Sequence, residues 1–344
     1  MKIRNMTVKD AIKYRSVWMG IAMLWVMFFH SDIIVKNNIL MGIKAVGYGG
    51  VDIFLFASGI GNYFSYFKDE SPLNFLRRRV ARLAPIHVPF MVAWIVYNNV
   101  RRNVPLKGLL GNILGIQGFT STGTNFNWYL TVLVICYLLT PYFAKAVKDN
   151  NLFKNMLLIV LLILISMVFF KDTWLIICFT RLPIYVIGMM FAKYSDKKIN
   201  TMYVVAGAIS CIIGSVALYI GFAKYKDLLW PYGIYWYPFI LITPFFCYTV
   251  SIISSKIEKY KPMTYILNII IYIGHISYEL YLMHIFLFSV IGNYIKSGYG
   301  EGANDKWIKL IIFTFPCAIA LHYISIAVNR VIKIMSRKKC KSDT

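Results

Sequence analysis

Long apolar segments alternate with short polar segments along nearly the whole chain. A helix needs about 20 apolar residues to cross a bilayer. Ten segments approach that length: 16–34, 46–66, 83–100, 127–143, 155–170, 174–192, 202–222, 231–253, 267–294 and 307–329. The pattern predicts an all-α fold, a polytopic membrane helix bundle of about ten transmembrane helices. The glycine-rich segment 99–126 is predicted to be a loop that partly re-enters the membrane.

The positive charges between these segments predict how the helices are oriented. Of the 37 Lys and Arg residues, 25 lie in one alternating set of loops and 11 in the other, and Arg181 lies within a span. Loops rich in Lys and Arg stay on the cytoplasmic side of a membrane. Both termini are therefore predicted to be cytoplasmic. Residues 1–344 then form a single transmembrane domain, with 1–15 and 333–344 as basic cytoplasmic tails.

Composition agrees with a membrane protein and argues against other classes. Of the 344 residues, 59% are hydrophobic and 15% are charged, and the mean hydropathy is +0.62. The net charge of +23 is spread between apolar segments, so we expect the lipid bilayer as a partner and no nucleic acid. Five of the six cysteines lie in apolar stretches, and neither a CxxC pair nor an HExxH motif is present. No metal is expected.

Two ionisable residues lie near the predicted outer ends of the first two spans. The first span contains "MGIAMLWVMFFHSDI" (19–33) and carries His30 about one turn from its outer end. The second begins with "GGVDIFLFASG", which places Asp52 at a similar depth. A carboxylate that holds one imidazole nitrogen makes a histidine a general base, so we expect Asp52 to orient a catalytic His30. The structural alternative is that His30 bonds a neighbouring helix and Asp52 caps its own.

Four arginines, Arg77, Arg78, Arg79 and Arg82, stand where the chain enters the third span, in "FLRRRVARLAPIH". Arg79 and Arg82 are three residues apart and share a helix face, where two guanidinium groups can bind one phosphorylated ligand. Anchoring of the membrane orientation also explains basic residues here, but lysine would serve that purpose equally well. The pattern favours a phosphate site formed by Arg79, Arg82 and Arg78.

A third polar cluster lies in the ninth span, in "GHISYELYLMH". Ser277, Tyr281 and His284 recur on one helix face, and Glu279 lies off it. Such a stripe either holds helices together or lines a cavity. The candidate acceptor or cavity residues are Glu279, Tyr281, His284, Asp32 and Trp128. Of the remaining histidines, His87 is expected to have a structural role, with a cavity position as the alternative, and His275 and His322 are expected to be helix-packing or interfacial residues.

These segments together resemble the acyltransferase 3 family of membrane proteins. "WMGIAMLWVMFFHS" resembles the first-helix signature that ends at His30, and "GGVDIFLFASG" resembles the second-helix motif with Asp52. "FLRRRVARLAP" resembles the RxxR motif, here Arg79 and Arg82. "NWYLTVLVICYLLTP", "RLPIYVIGMMFA" and "ISYELYLMH" are similar to later family motifs, in the right order. The resemblance spans residues 18–284.

The resemblance implies a ten-helix membrane enzyme that transfers an acyl group, usually acetyl from cytoplasmic acetyl-CoA. The acceptor it implies is a hydroxyl of a cell-surface or exported glycan. His30 would be the general base or a transient acyl carrier, and Arg79 and Arg82 would bind the CoA phosphates. The resemblance and the Lys-, Ile- and Asn-rich composition together imply a multi-pass protein of a bacterial cytoplasmic (inner) membrane.

Two positions depart from the family pattern. Met19 stands where an arginine is common. Arg15, four residues earlier on the same face, is one candidate substitute, and the alternatives are a different acyl group, a different anchoring arginine or reduced activity. Glu279 stands where a small residue is more usual.

An alternative function is a transporter or binding protein for a small polar solute, in which the buried charges line a path. A third hypothesis keeps acyl transfer but has a lipid-linked or small-molecule acceptor on the cytoplasmic side.

Overall fold

The protein is described by a computed structural model that covers residues 6–102, 106–116, 128–169, 173–229, 233–297 and 303–342. Within those ranges β structure is limited to one isolated bridge between Thr7 and Lys198. The α-helices are α1 (Val8–Ile12), α2 (Arg15–His30), α3 (Asn38–Ala45), α4 (Gly50–Tyr66), α5 (Pro72–Arg102), α6 (Leu106–Leu114), α7 (Trp128–Asp149), α8 (Leu152–Met167), α9 (Thr173–Phe179), α10 (Leu182–Lys193), α11 (Thr201–Lys224), α12 (Lys226–Leu229), α13 (Pro238–Ile257), α14 (Lys261–His275), α15 (Ser277–Ser297) and α16 (Ala303–Ser342). Short 3-10 helices lie at Gly47–Gly49 and Ile234–Trp236. The predicted all-α polytopic bundle is confirmed.

Six helical stretches in the described ranges are long and apolar enough to cross a membrane, or eight if each of two bent pairs counts as one span. The six are Pro72–Tyr97, Trp128–Asp149, Leu175–Lys193, Thr201–Gly221, Ile234–Ile257 and Ala303–Val331. The bent pairs are Asn38–Ala45 with Gly47–Tyr66, and Lys261–His275 with Ser277–Gly292. The predicted spans 16–34 and 155–170 correspond to α2 and α8, each of 16 residues. The number ten and the cytoplasmic termini stay predictions.

Three predicted spans differ in their boundaries. α5 begins at Pro72, before the arginines, because Ser71 accepts from the Asn74 amide and proline suits the first helical position. The span 174–192 is interrupted between α9 and α10. The span 267–294 bends by 73° between α14 and α15, so that α14 packs on α2 and α15 packs on α16. Much of the predicted loop 99–126 lies outside the described residues, although α6 forms within it.

The Lys- and Arg-rich loops meet on one side of the bundle, as the alternation of charge predicts. Their contacts are the bridge of Thr7 with Lys198, Lys13 Nζ with Glu258 (3.4 Å), Lys148 Nζ with Glu70 (3.1 Å) and Lys193 Nζ with the Asn150 carbonyl (2.7 Å). We call this the basic side. On the opposite side the Ile34 amide donates to Asn304 Oδ1 at 2.8 Å. Since His30 ends α2 there, we call it the histidine side.

α4 and α10 pack with their backbones in close approach. A Cβ on Gly59 would lie 2.1 Å from the Tyr185 carbonyl oxygen, and one on Gly188 would lie 2.2 Å from the Phe56 carbonyl oxygen. Small residues allow membrane helices to approach this closely. The contact fixes α4, which carries Asp52 and one wall of the cavity described below.

Replacing Gly59 with alanine should therefore destabilise the bundle. The added methyl group meets backbone that cannot rotate away, and overpacking of this kind costs about 1–3 kcal/mol. Thermal unfolding of the purified protein in detergent measures the loss. The matched control is Gly42→Ala on α3, where a Cβ meets nothing within 4 Å. Equal unfolding temperatures for the two variants would contradict the close helix packing.

Candidate functional site

A cavity of about 530 Å³ lies between α2, α4, α5, α7 and the bend that joins α14 to α15. This volume is typical of small-molecule sites. On the basic side its rim includes the exposed residues Lys68 and Arg82. Further in, it reaches Tyr129 and Tyr281, whose ring centroids are 5.1 Å apart. The cavity therefore leads from the basic side into the interior of the bundle.

Four cationic side chains line this cavity: Arg15, Lys68, Arg79 and Arg82. Among the described residues, none of them forms an ion pair. The three arginines are near enough to one another to repel. The Nε of Arg79 is buried without a hydrogen-bond partner in the described part of the chain. Uncompensated cations that present guanidinium groups to one space form a binding site for an anion such as phosphate.

Arg15 lies where it can replace the arginine that the family commonly has at the position of Met19. Met19 lines the cavity, and Arg15 lies one turn closer to the basic side in the same cavity. A Cβ on Gly61 would lie 2.6 Å from Arg15 Nη1, so the glycine leaves room for the guanidinium group against α4. The cavity thus keeps a third arginine despite Met19.

Arg78 does not take part in this cluster, contrary to the prediction that grouped it with Arg79 and Arg82. Its guanidinium group forms two hydrogen bonds with the Asp69 carboxylate, at 2.6 and 3.1 Å, and a third with the Ser65 carbonyl at 2.8 Å. Hydrogen bonding from Arg78 lowers the pKa of the Asp69 carboxyl from its ordinary value. The physical reason is the helical period, since adjacent residues face different directions.

The same cavity is also lined by an acid and two histidines, Glu279, His275 and His322. Glu279 is 2% exposed, and His322 Nδ1 donates to its Oε1 at 2.7 Å. His275 and His322 both line the cavity and are not only the helix-packing or interfacial residues that the sequence predicts. Glu279 and His322 lie on different helices and are 43 residues apart, so no local pattern signals the pair.

His30 and His284 form a pair just beyond the inner wall of the cavity. His30 Nδ1 lies 3.2 Å from His284 Nε2, and His284 Nδ1 lies 3.0 Å from the Leu280 carbonyl oxygen. His284 is fully buried, whereas His30 is exposed on the histidine side. The ring centroids of His284 and the cavity residue Tyr281 are 5.6 Å apart. The pair therefore lies between the cavity and the histidine side.

Asp52 does not orient His30, and that prediction is wrong in its geometry. Asp52 forms an ion pair with Arg181, and both side chains are almost fully buried. The Arg181 guanidinium carbon lies 5.3 Å from the centre of the Trp236 ring. A buried cation needs a compensating charge, and Asp52 supplies it. The partner of His30 is His284 instead, which the sequence analysis placed in the acceptor or cavity group.

Two of the predicted acceptor or cavity residues, Asp32 and Trp128, lie outside the cavity. Asp32 follows His30 on the histidine side and interacts electrostatically with Lys44. Trp128 packs edge-on against Tyr129, with ring centroids 6.4 Å apart. Neither lines the cavity.

His87 joins three helices. Its Nε2 lies 3.3 Å from the Asn112 carbonyl oxygen and 3.1 Å from that of Ile113, and its Nδ1 lies 3.1 Å from the Tyr278 hydroxyl. Because carbonyl oxygens only accept, Nε2 donates and Nδ1 accepts from Tyr278. These contacts hold α6 and α15 against α5, which is the packing role expected for His87.

Comparison with known proteins gives one match. A family model described as an acyltransferase domain matches residues 18–323, which include the histidine pair and every cavity residue discussed except Arg15. No curated protein and no solved structure matches the chain.

Proposed function

The chain belongs to the acyltransferase 3 family, and we propose that this membrane acyltransferase moves an acetyl group from acetyl-CoA to a hydroxyl of a cell-surface or exported glycan. The observation that supports the proposal is the cavity itself. Uncompensated arginines line it near the basic side, and a histidine pair lies behind its inner wall. An extended anionic donor fits this arrangement.

The phosphates of the donor bind the arginines. Arg79 and Arg82 share a face of α5 and point into the cavity, where Arg15 adds a third guanidinium group from α2. Charge-assisted bonds from guanidinium to phosphate are among the strong hydrogen bonds in proteins. The pantetheine arm then extends along the cavity toward Tyr281. Tyr281 separates the cavity from the histidine pair, its ring centroid 5.6 Å from that of His284, and rotation of its side chain would connect the two.

The chemistry takes place at His30. The acceptor hydroxyl approaches from the histidine side, where His30 is exposed. His30 removes the hydroxyl proton while the oxygen attacks the thioester carbonyl, the carbon–sulfur bond breaks, and the CoA thiolate leaves and takes up a proton. In a second route His30 itself attacks and carries the acyl group to the acceptor. An acyl-imidazole trapped without acceptor distinguishes this relay from direct transfer.

The orientation of the protein in the membrane follows from the compartment in which acyl-CoA is found. We place the protein in a bacterial cytoplasmic membrane with the basic side facing the cytosol, which contains acyl-CoA. The acceptor is then modified near the opposite surface, and CoA does not have to cross the membrane.

Removal of the two arginines on α5 should weaken donor binding. Hydrogen bonds to charged groups contribute about 1.5–3 kcal/mol each. Since about 1.4 kcal/mol is tenfold in affinity, Arg79→Gln/Arg82→Gln should raise the Kd for acetyl-CoA at least about 100-fold. Titration calorimetry of the purified protein in detergent measures this Kd.

Arg78→Gln is the matched control, because Arg78 belongs to the same helix but pairs with Asp69 outside the cavity. Its Kd for acetyl-CoA should stay within about threefold of wild type, well below the loss of one charged hydrogen bond. If Arg78→Gln weakens binding as much as the double variant, general surface charge rather than the cavity holds the donor.

A further inference from the structure

The hydrogen bonds of His284 determine where its proton lies. Its Nδ1 is 3.0 Å from the Leu280 carbonyl oxygen, which can only accept. His284 therefore carries its proton on Nδ1 and donates it to that carbonyl. A neutral imidazole has a single N–H, so Nε2 of His284 presents a lone pair.

That lone pair in turn determines the tautomer of His30. His30 Nδ1 lies 3.2 Å from His284 Nε2, and a hydrogen bond between two ring nitrogens needs one donor and one acceptor. Because His284 Nε2 accepts, His30 Nδ1 carries the proton, and the Val26 carbonyl, one turn earlier on α2, is a second acceptor for the His30 ring. The Nε2 of His30 is then unprotonated and available as a base.

We infer that His284 is a positioning residue that fixes His30 in the tautomer protonated at Nδ1, with Nε2 as the reactive nitrogen. The inference rests on the proposed function in assigning the reaction to His30. In serine hydrolases a carboxylate holds the histidine in this way. Here Asp52 is occupied by Arg181, and a second histidine takes the place of the carboxylate.

A neutral partner suits these surroundings. His284 is fully buried, and its ring contacts the rings of Tyr281 and Phe288, with centroids 5.6 and 5.5 Å away. An isolated carboxylate here would be costly to bury, whereas a neutral imidazole anchored to the Leu280 carbonyl is not. The Leu280 carbonyl therefore sets the tautomer of His284, and His284 acts together with the Val26 carbonyl to set the tautomer of His30.

Nitrogen NMR tests the tautomer directly. The chain contains five histidines, so ring-¹⁵N labelling in lipid nanodiscs gives a tractable spectrum, and His30→Gln assigns the His30 signals. We expect Nδ1 of His30 to be protonated in wild type and this preference to be weakened in His284→Phe, where the Val26 carbonyl still accepts from the ring. His284→Gln, whose amide oxygen accepts where Nε2 does, should restore it. Wild-type His30 protonated on Nε2, or an unchanged tautomer in His284→Phe, overturns the inference.

Kinetics separate this role from a structural one. The probe is acetyl-CoA added to native membrane vesicles, with release of the CoA thiol as the readout. His284→Phe should lower kcat about 100-fold, within the usual contribution of general acid–base catalysis, and leave the KM for acetyl-CoA within about twofold. His284→Gln should recover at least about a tenth of the wild-type kcat.

The two measurements distinguish failure of the inference from failure of the proposed function. If wild type releases no thiol but the NMR spectra are as expected, the His284 assignment stands and the acetyl-CoA proposal fails. If wild type turns over and His284→Phe has the same kcat, the positioning role is overturned.

Discussion

Replacing His30 with glutamine should reduce acyl transfer about 1,000-fold or more. General base catalysis contributes about 10²- to 10⁴-fold, and glutamine can hydrogen-bond but cannot accept the hydroxyl proton. Donor binding should persist, because the arginines that line the cavity near the basic side are untouched. Release of the CoA thiol in native membrane vesicles measures turnover, and calorimetry with acetyl-CoA measures binding.

His87→Gln is the matched control for this change. His87 donates from its ring to two carbonyl oxygens and packs between α5, α6 and α15, away from the histidine pair. Glutamine can still donate to those carbonyls, so we expect activity within about threefold of wild type, as a preserved hydrogen bond contributes only about 1 kcal/mol. If His30→Gln retains more than about a hundredth of wild-type turnover, His30 is not the base that the 10²-fold minimum requires.

Asp52→Asn should destabilise the protein by about 3–5 kcal/mol. The substitution keeps the shape of the side chain but leaves the Arg181 charge buried and uncompensated, which is the strongly unfavourable outcome for a broken buried pair. The double variant Asp52→Asn/Arg181→Met removes both charges, so its loss should be smaller. Denaturant unfolding in bicelles measures the free energies.

The comparison pair for this experiment is Lys148 with Glu70. Both side chains are 51% exposed, so Glu70→Gln should change the free energy of unfolding by less than about 1 kcal/mol. If Asp52→Asn is no more destabilising than Glu70→Gln, the buried pair does not carry the stability assigned to it.

Much of the bundle follows from local patterns in the sequence. Apolar runs fix most helix positions, because lipid and core both exclude unsatisfied polar groups. The helical period correctly grouped Arg79 with Arg82, since residues three apart share a face whatever surrounds them. The same period separates Arg78, whose partner Asp69 lies nine residues away in the preceding turn.

The remaining features depend on packing that the sequence does not express locally. Depth along a helix follows from residue number, which is the basis for expecting His30 and Asp52 at a similar depth. Depth does not tell which way a side chain points around its helix, and Asp52 faces Arg181 while His30 faces His284. A lone arginine inside an apolar span was the available signal for the Asp52 partner. The bend between α14 and α15 brings Glu279 to the cavity and has no such signal.

We propose that one cavity holds an acyl donor between the basic side and His30. A structure determined with bound acetyl-CoA would show where the donor lies. We predict the donor phosphates at hydrogen-bonding distance, about 3 Å, from Arg79 and Arg82. The thioester should lie beside Tyr281, on the way to His30. A cavity that stays empty at saturating acetyl-CoA, or phosphates bound on the histidine side, would contradict the account and favour a solute transporter built on the same polar cavity.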